Sequence, residues 1–257
     1  MIEELSGLRP ERTIGIHAES CSTISGLVLA AGLSRRMGTN KLLLPFGERT
    51  ILGQVVAVLQ SCPLDEIVVV TGHEHEKVEE MLGRYRESPS LGGGALNHSD
   101  PGRYPNSGLY STPLRFVYNP NYATGEMLSS IQAGLAAMRE ASHCDAALIV
   151  LGDQPLIERR IVEQVIAAHK PGTVVIPSFN RRGGHPILID RACWPEVLAL
   201  PISANLREAL RAHTNWPRYI EVDTESILRD MDTPEDYARH QKLIQRFSAP
   251  RHPDAER

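Results

Sequence analysis

A segment of small and basic residues near the start of the chain has the composition of a phosphate-binding loop. It comprises Leu29-Ala30-Ala31-Gly32-Leu33-Ser34-Arg35-Arg36-Met37-Gly38 and is followed by Lys41. Small residues let backbone N–H groups approach phosphate oxygens, and arginine and lysine add positive charge. The motifs G-x-x-x-x-G-K-[ST] and G-x-G-x-x-G are absent, which excludes a P-loop and disfavours a dinucleotide-dependent dehydrogenase. The segment therefore predicts a triphosphate-binding loop, and a surface turn with solvated basic residues is the alternative.

Carboxylates occur in two further segments. Asp153 follows an apolar run in residues 152–155, GDQP, and Asp230 and Asp232 lie close to the last helical pattern of the chain. Magnesium prefers one or two carboxylates together with phosphate oxygens and water, so Asp153 is a candidate metal ligand. A loop-capping aspartate is the alternative. The start of a helix explains residues 233–236, but it does not explain Asp230 and Asp232, which would share one side of an extended segment.

Two other segments combine polar side chains with glycine. Residues 181–186, RRGGHP, suit the acceptor side of a cleft, with a structural histidine as the alternative. Residues 119–125, NPNYATG, are followed by Ser129 and Ser130, where a helix N-terminus would favour an anion or a base edge. A turn with a helix cap explains that second segment equally well. Residues 73–75, HEH, are predicted to cap a solvated helix, because no third metal ligand follows at a suitable spacing.

These segments are connected by an alternation of apolar strands and amphipathic helices. Strands are predicted at 24–30, 67–71, 114–118, 146–151, 173–176 and 187–189, and helices at 51–60, 74–82, 127–139 and 158–169. Continuous β-branched strands separated by helices are typical of a parallel sheet covered on both faces. Right-handed crossovers bring the loops after the strands to one edge of the sheet, where α/β proteins bind ligands. We therefore expect the phosphate loop and Asp153 at that edge.

The alternation spans residues 23–246, which we interpret as one domain. A polar extension is expected at 1–22, a long loop insertion at 83–113 and a polar tail at 247–257. The chain has 257 residues, 42% of them apolar, and a net charge of −4, so its charge favours neither nucleic acid nor a membrane surface. Its four cysteines lie far apart, which predicts neither a zinc module nor a disulfide framework and favours the cytoplasm.

The segment LAAGLSRRMGTNKLLLPFG resembles the signature of the MobA-like nucleotidyltransferases. Four segments match that family in the same order, over residues 24–243 apart from the insertion at 83–113. The resemblance implies a single Rossmann-like, three-layer α/β domain with a mostly parallel central sheet, of the nucleotide-diphospho-sugar transferase type. It also implies that Asp153 and Asp232 bind a metal ion.

The same resemblance implies further site residues at the matching positions. The implied catalytic residues are Arg35, Lys41 and Asp153, and the implied acceptor-binding residues are Gly184, His185 and Pro186. The implied nucleotide-binding residues are Leu29, Ala30, Ala31, Gly32, Ser34, Arg35, Arg36, Met37, Gly38, Lys41 and Gly152. The sequence shows no obvious nucleophile, which favours direct in-line transfer of a nucleotidyl group with loss of pyrophosphate. An acceptor phosphate, with a second pKa of about 6, needs no general base.

Within the family the chain is most similar to the molybdenum cofactor cytidylyltransferases. This implies Mg²⁺, CTP as donor and the molybdopterin cofactor as acceptor, with molybdopterin cytosine dinucleotide and pyrophosphate as products. Transient docking to molybdenum hydroxylase apoenzymes is a further expectation. The triplet Ala30-Ala31-Gly32 favours CTP, because the guanylyl branch resembles Leu-Ala-Gly-Gly and the Cβ of Ala31 leaves less room for a purine. The insertion and Gln154, where methionine is frequent, depart from the family pattern.

Three alternatives remain open from the sequence. The chain could be a guanylyltransferase or another nucleotidyltransferase that acts on a phosphorylated small molecule. It could instead be a non-catalytic carrier or insertion chaperone for the molybdenum cofactor, or a regulator that binds nucleotide without turnover. The presence of both Asp153 and Asp232 argues against a carrier, because a protein without catalysis need not keep both.

Overall fold

The computed structural model describes residues 22–87, 112–141 and 143–248. The strands are β1 (Ile24–Ala30), β2 (Pro45–Phe46), β3 (Arg49–Thr50), β4 (Ile67–Thr71), β5 (Leu114–Tyr118), β6 (Ala146–Leu151), β7 (Val174–Phe179), β8 (Arg182–Gly183), β9 (Ile187–Asp190) and β10 (Pro217–Glu221). The α-helices are α1 (Ile51–Gln60), α2 (His75–Glu87), α3 (Met127–Ala141), α4 (Arg159–Ala167), α5 (Trp194–Ala199), α6 (Leu206–Ala212) and α7 (Pro234–Ser248). Short 3-10 helices occur at Lys41–Leu43, Arg191–Cys193 and Glu225–Leu228.

The central sheet is mostly parallel, as predicted. Its strand order is β10-β7-β9-β6-β1-β4-β5, and β8 pairs with β7. Strands β4 and β6 both run parallel to β1, and β5 runs parallel to β4. Strand β9 is antiparallel to both of its neighbours, β6 and β7. Because β1 lies between β6 and β4, the loops after these three strands meet at one edge of the sheet.

Helices cover both faces of the sheet and give the predicted three-layer domain. On one face α1, α2 and α4 bury side chains such as Leu52 and Ile161 against the sheet. On the other face α3, α5 and α6 bury side chains such as Leu135 and Trp194. None of the helices in residues 22–87, 112–141 and 143–248 has the length and apolar character needed to span a membrane.

Helix α2 differs most from its predicted bounds. It was expected to begin at Glu74 and end at Leu82, but Glu74 has a left-handed φ of 51° and the helix continues to Glu87. Val78 and Leu82 are fully buried and anchor the helix on the core. Its last turns therefore occupy the start of the segment predicted as the 83–113 loop. The rest of that insertion, residues 88–111, lies outside the described residues, as do 1–21 and 249–257.

A small apolar cluster joins the short β2–β3 hairpin to the segment before α7. It contains Phe46, Ile51 and Met231, all buried. The helix start predicted at residues 233–236 is confirmed, and it forms a capping box. The N–H of Asp236 donates to Thr233 Oγ1 and the N–H of Thr233 donates to Asp236 Oδ2, both at 3.1 Å. These contacts fix the chain on both sides of Asp232.

Candidate active site

The loop after β1 makes a tight turn that leaves its basic side chains exposed. Ser34 and Gly38 adopt left-handed φ values of 50° and 69°, and the N–H of Met37 donates to the carbonyl of Ser34 at 2.9 Å. The Ser34 hydroxyl oxygen also accepts a hydrogen bond from the backbone N–H of Lys41 at 3.1 Å. This hydrogen bond fixes the position of the turn relative to Lys41. The side chain of Arg36, which lies within the turn, is 74% exposed.

Lys41 is anchored by its backbone, and its side chain joins two carboxylates from distant parts of the chain. Asn40 caps the 3-10 helix at Lys41 by accepting from the N–H of Leu42 at 3.2 Å. The Lys41 ammonium donates to Asp153 Oδ2 at 2.5 Å and to Asp232 Oδ1 at 2.7 Å. Burial alone would lower the Lys41 pKa, but the two carboxylates outweigh burial and raise it above its ordinary value. Asp153 and Asp232, for which the resemblance implies a metal ion, therefore lie close together with Lys41 between them.

Two hydrogen bonds hold the segment that carries Asp232 against the end of β6, and we call this pair of hydrogen bonds the clamp. The N–H of Met231 donates to the carbonyl of Asp153 at 3.0 Å, and Gln154 Nε2 donates to Asp230 Oδ1 at 2.5 Å. Burial raises the Asp230 pKa; the Gln154 hydrogen bond opposes this rise, and the nearby charges of Asp153 and Asp232 add to it. Asp230 thus contacts Gln154 whereas Asp232 contacts Lys41, so these two aspartates have different partners.

A cleft of about 560 Å³ opens beside this group of charges. Its lining residues are Gly32, Leu33, Ser34, Arg35, Arg36, Lys41, Tyr122, Ala123, Thr124, Gly125, Glu126, Met127 and Asp232. The phosphate-loop residues form one wall, and the loop between β5 and α3 forms the other. A Cβ built on Gly32 meets no atom within 4 Å, so its lack of a side chain leaves open space in the cleft.

Several predicted nucleotide-binding residues do not line this cleft, namely Leu29, Ala30, Ala31, Met37, Gly38 and Gly152. Ala31 is buried in the core beneath α3, so its methyl group does not narrow the cleft in the way expected for excluding a purine. A Cβ on Gly152 would lie 2.8 Å from the carbonyl oxygen of Leu29. Gly152 is therefore required for the close approach of β6 to β1.

The wall formed by the β5–α3 loop is held by a buried amide. Asn119 Nδ2 donates to the hydroxyl oxygens of Ser129 and Ser130 at 2.9 and 3.1 Å, and its Oδ1 accepts from the N–H of Asn121 at 2.9 Å. The two serines are thus buried partners of Asn119 rather than exposed anion ligands. Met127 lines the cleft and is 50% exposed, although it lies outside the segments that the sequence indicated.

The predicted acceptor-binding segment lies outside the cleft but close to the clamp. Gly184, His185 and Pro186 follow β8, and the His185 N–H donates to the carbonyl of Ile227 at 3.0 Å. Gln154 Nε2 approaches the same carbonyl at 3.4 Å. Burial, and then the positive charge of Arg207, lower the His185 pKa to about 4, so the imidazole is neutral at pH 7. An acceptor-binding role for the segment remains a prediction.

The carboxylates suit a magnesium–nucleotide complex better than a closed metal site. In the described residues no group of three or more histidines, cysteines or acidic residues could hold a metal ion. Asp153 and Asp232 provide two carboxylates beside an open cleft, so phosphate oxygens and water would have to complete the coordination. That mixed set of ligands is typical of Mg²⁺ bound together with a nucleotide.

Comparisons with known proteins identify the family. The model of the MobA-like NTP transferase domain matches residues 26–216. The chain is 29% identical over 217 residues to the molybdenum cofactor cytidylyltransferase of Escherichia coli, covering 84% of this chain and 94% of the relative. It is 29% identical over 213 residues to the purine catabolism protein PucB of Bacillus subtilis, covering 82% and 93%.

A solved nucleotidyl transferase has the same fold as this chain. A solved nucleotidyl transferase from Methanothermobacter superposes with a TM-score of 0.67 at 22% identity, covering 88% of this chain and 99% of that one. This neighbour supports the nucleotide-diphospho-sugar transferase type of fold. The family match, the fold and the convergence of Lys41, Asp153 and Asp232 agree, and the chain belongs to the MobA-like NTP transferase family.

Proposed function

We propose that this chain transfers CMP from CTP to the terminal phosphate of the molybdopterin cofactor, giving molybdopterin cytosine dinucleotide and pyrophosphate in a Mg²⁺-dependent reaction. The observation that carries the proposal is the placement of Asp153, Lys41 and Asp232 beside a cleft whose other lining includes the glycine- and arginine-containing loop. The choice of CTP and of this acceptor rests on the Escherichia coli relative and on the resemblance of the loop sequence.

The donor triphosphate is assigned to the loop wall of the cleft. Gly32 leaves space for close approach of a phosphate, and Arg35 and Arg36 carry positive charge into the same cleft. Lys41 lies at the junction of this wall with the carboxylates. Arg35 and Lys41 would therefore stabilise the negative charge of the leaving pyrophosphate, which is the main requirement of a phosphoryl-type transfer.

Asp153 and Asp232 are assigned to hold Mg²⁺ with the phosphates. The bound metal ion would supply positive charge that offsets the negative charge of the phosphates. The acceptor phosphate supplies its own ionised oxygen near neutral pH, because its second pKa is about 6. The chain consequently needs no general base, and its residues act by binding, orienting and compensating charge.

The acceptor is assigned to the side of the cleft near Gly184, His185 and Pro186. The carbonyl of Ile227 connects this segment to the carboxylate group. It accepts from the His185 N–H and is also approached by Gln154 Nε2. Because His185 is neutral at pH 7, it would recognise the acceptor by a hydrogen bond and not by charge.

Nucleotide-dependent stabilisation tests the donor site first. Unfolding is followed by heating with CTP, GTP, ATP or UTP, with and without Mg²⁺, in the wild type, Asp153→Ala and Asp223→Ala. Asp223 is an exposed carboxylate paired with Arg160 outside the cleft and serves as the matched control. CTP at 100 times its dissociation constant should stabilise by about 2.7 kcal/mol. We expect this gain to require Mg²⁺, to disappear in Asp153→Ala and to persist in Asp223→Ala.

Pyrophosphate release with molybdopterin and CTP then tests the reaction. A preference for GTP in binding and turnover would replace the proposal by guanylyl transfer. Cofactor binding that is insensitive to Asp153→Ala, without pyrophosphate release from any nucleotide, would replace it by the carrier hypothesis. Docking to a molybdenum hydroxylase apoenzyme and the part played by residues 88–111 are separate proposals, for which a pull-down with the full chain is the test.

A further inference from the structure

The Lys41 ammonium occupies the gap between two carboxylates that belong to different segments. Its distances to Asp153 Oδ2 and Asp232 Oδ1 are 2.5 and 2.7 Å, and the side chains of Lys41 and Asp153 are only 12% and 18% exposed. The backbone N–H of Lys41 is held by Ser34 Oγ at 3.1 Å. The ammonium is therefore the movable end of a residue whose main chain is fixed.

We propose that Lys41 is an internal counter-ion that occupies the metal-binding position of the free protein, and that a divalent cation can bind both Asp153 and Asp232 only after the ammonium has moved away. This inference rests on the proposed function, because it takes these two aspartates as the metal ligands. It adds a second role for Lys41, which holds the site closed to metal until phosphate is present.

Both cations compete for the same oxygens. Magnesium binds carboxylate oxygens at about 2.0–2.1 Å. An ion bound to Asp153 Oδ2 and Asp232 Oδ1 at that distance would lie in the gap that the ammonium of Lys41 fills, since the ammonium contacts both oxygens. Two positive charges so close together repel strongly in a partly buried site. Metal binding to these two oxygens and the observed lysine contacts therefore exclude each other.

The released ammonium has a suitable second partner only when nucleotide is bound. Lys41 lines the same cleft as Gly32, Arg35 and Arg36, and its four-carbon stem allows the ammonium to turn into that cleft. In the free protein the turned ammonium would meet the positive charges of the two arginines. Phosphate groups in the cleft would instead attract it. Nucleotide and metal should consequently strengthen each other's binding, by the same factor in both directions.

A purely structural ion pair makes the opposite prediction. If Lys41 only holds the two segments together, its removal leaves Asp153 and Asp232 repelling each other and spread apart. The metal site would then be weaker in the absence of Lys41. The direction of the change in metal affinity therefore separates the two roles.

Mn²⁺ binding provides the test, measured by the electron paramagnetic resonance signal of free Mn²⁺ without turnover. The variants are Lys41→Met, Lys41→Arg as the charge-retaining control and Lys77→Met as the control for an exposed cation outside the cleft. Lys77 pairs with Glu74, lies outside the cleft and is 65% exposed. Without nucleotide, we expect Lys41→Met to bind Mn²⁺ at least about tenfold more tightly than wild type. Lys41→Arg should change it by less than about threefold, because it keeps the positive charge. Lys77→Met should also change it by less than about threefold, because it removes a screened, exposed charge outside the cleft.

Repeating the titration with CTP gives the second half of the test. CTP should increase the Mn²⁺ affinity of the wild type by a larger factor than that of Lys41→Met, because only the wild type must displace the ammonium. Lys41→Gln replaces Lys41→Met if the latter unfolds below the measuring temperature. An unchanged or weaker Mn²⁺ affinity in the folded neutral variant overturns the inference while the metal site itself remains. Absence of Mn²⁺ binding in every variant, even with CTP, overturns both this inference and the proposed function.

Discussion

Two aspartates near opposite ends of β6, Asp190 buried and Asp153 partly buried, have basic partners, but their surroundings differ. Asp190 ends the antiparallel strand β9 and lies in register with Ala146, the first residue of β6. Asp153 lies just beyond the other end of β6. Asp190 Oδ2 contacts His169 Nε2 at 2.8 Å, and its Oδ1 accepts from the backbone N–H groups of Gly172 and Ala192 at 2.9 and 3.0 Å.

The Asp153 carboxylate is instead held by the long side chain of a lysine. Its Oδ2 accepts from the Lys41 ammonium, which also contacts Asp232. Backbone donors fix Asp190 in one place and fill its oxygens, so this aspartate suits a structural role. A carboxylate held by a lysine can exchange its partner for a metal ion and phosphate. The two carboxylates therefore differ in the kind of partner that holds them, which is a histidine and two backbone N–H groups for Asp190 and a lysine side chain for Asp153.

The largest expected effect is the loss of catalysis in Asp153→Asn. The variant keeps the size of the side chain and removes the charge needed to hold the metal. We expect the rate of pyrophosphate release to fall by at least about 100-fold, which is typical for loss of one group that stabilises the charge of the transition state. The melting temperature should change little, because Lys41 keeps its contact with Asp232. Steady-state kinetics and thermal unfolding of the same preparation measure both.

The matched variant Asp190→Ala should show the reverse. It removes the acceptor for His169 and for two backbone N–H groups, at about 1 kcal/mol or more each. For a chain of this size, a loss of roughly 3 kcal/mol lowers the melting temperature by about 6–12 °C. Turnover per folded molecule should stay within about twofold of wild type at low temperature. A large loss of turnover in Asp190→Ala with unchanged stability would contradict the distinction between the two aspartates.

A smaller effect is expected from the clamp that positions Asp232. Gln154→Met removes the hydrogen bond from Nε2 to Asp230 and leaves the backbone bond between Met231 and Asp153. A hydrogen bond to a charged group contributes about 1.5–3 kcal/mol. We expect part of this loss to appear as about five- to tenfold weaker Mn²⁺ binding in the presence of CTP. Equal Mn²⁺ affinity and equal kcat in Gln154→Met would show that Met231 alone positions the segment.

The sequence was most informative where apolar runs are continuous. The strands at Ile24–Ala30, Ile67–Thr71, Leu114–Tyr118 and Ala146–Leu151 have the predicted bounds. Three of them are predominantly apolar and almost entirely buried, as expected for strands covered on both faces, whereas the edge strand Leu114–Tyr118 is only partly buried. The direction of β9 could not be predicted, since apolar periodicity is the same in a parallel and an antiparallel strand. The short β2–β3 hairpin has two residues in each strand and gives no periodic pattern at all.

For the site, charge pattern was a good guide and shape was not. The order of strands and helices predicted the phosphate loop and Asp153 at one edge, and the family resemblance implied Asp232 as a further metal ligand. The structure brings Lys41, Asp153 and Asp232 into contact. The contribution of Met127 to the cleft gave no signal, because an isolated methionine has no distinctive chemistry. The burial of Ala31 depends on the packing of α3 onto β1, which a single loop sequence does not encode.

The smallest expected effect concerns the neutral part of the site, where the lowered pKa of His185, about 4, predicts a dependence of stability on pH. In the unfolded chain this imidazole has its ordinary pKa of 6.5, so between pH 6.5 and about 4 the unfolded state binds a proton that the folded state does not. The free energy of unfolding therefore falls as the pH falls through this window, by at most about 1.4 kcal/mol per pH unit. His185→Gln cannot bind that proton, and we expect a flatter profile between pH 6.5 and 4 than in wild type or in the exposed-histidine control His143→Gln. A profile of His185→Gln that matches the wild type would mean that His185 titrates normally, and the acceptor side of the site would then carry a charge near pH 6.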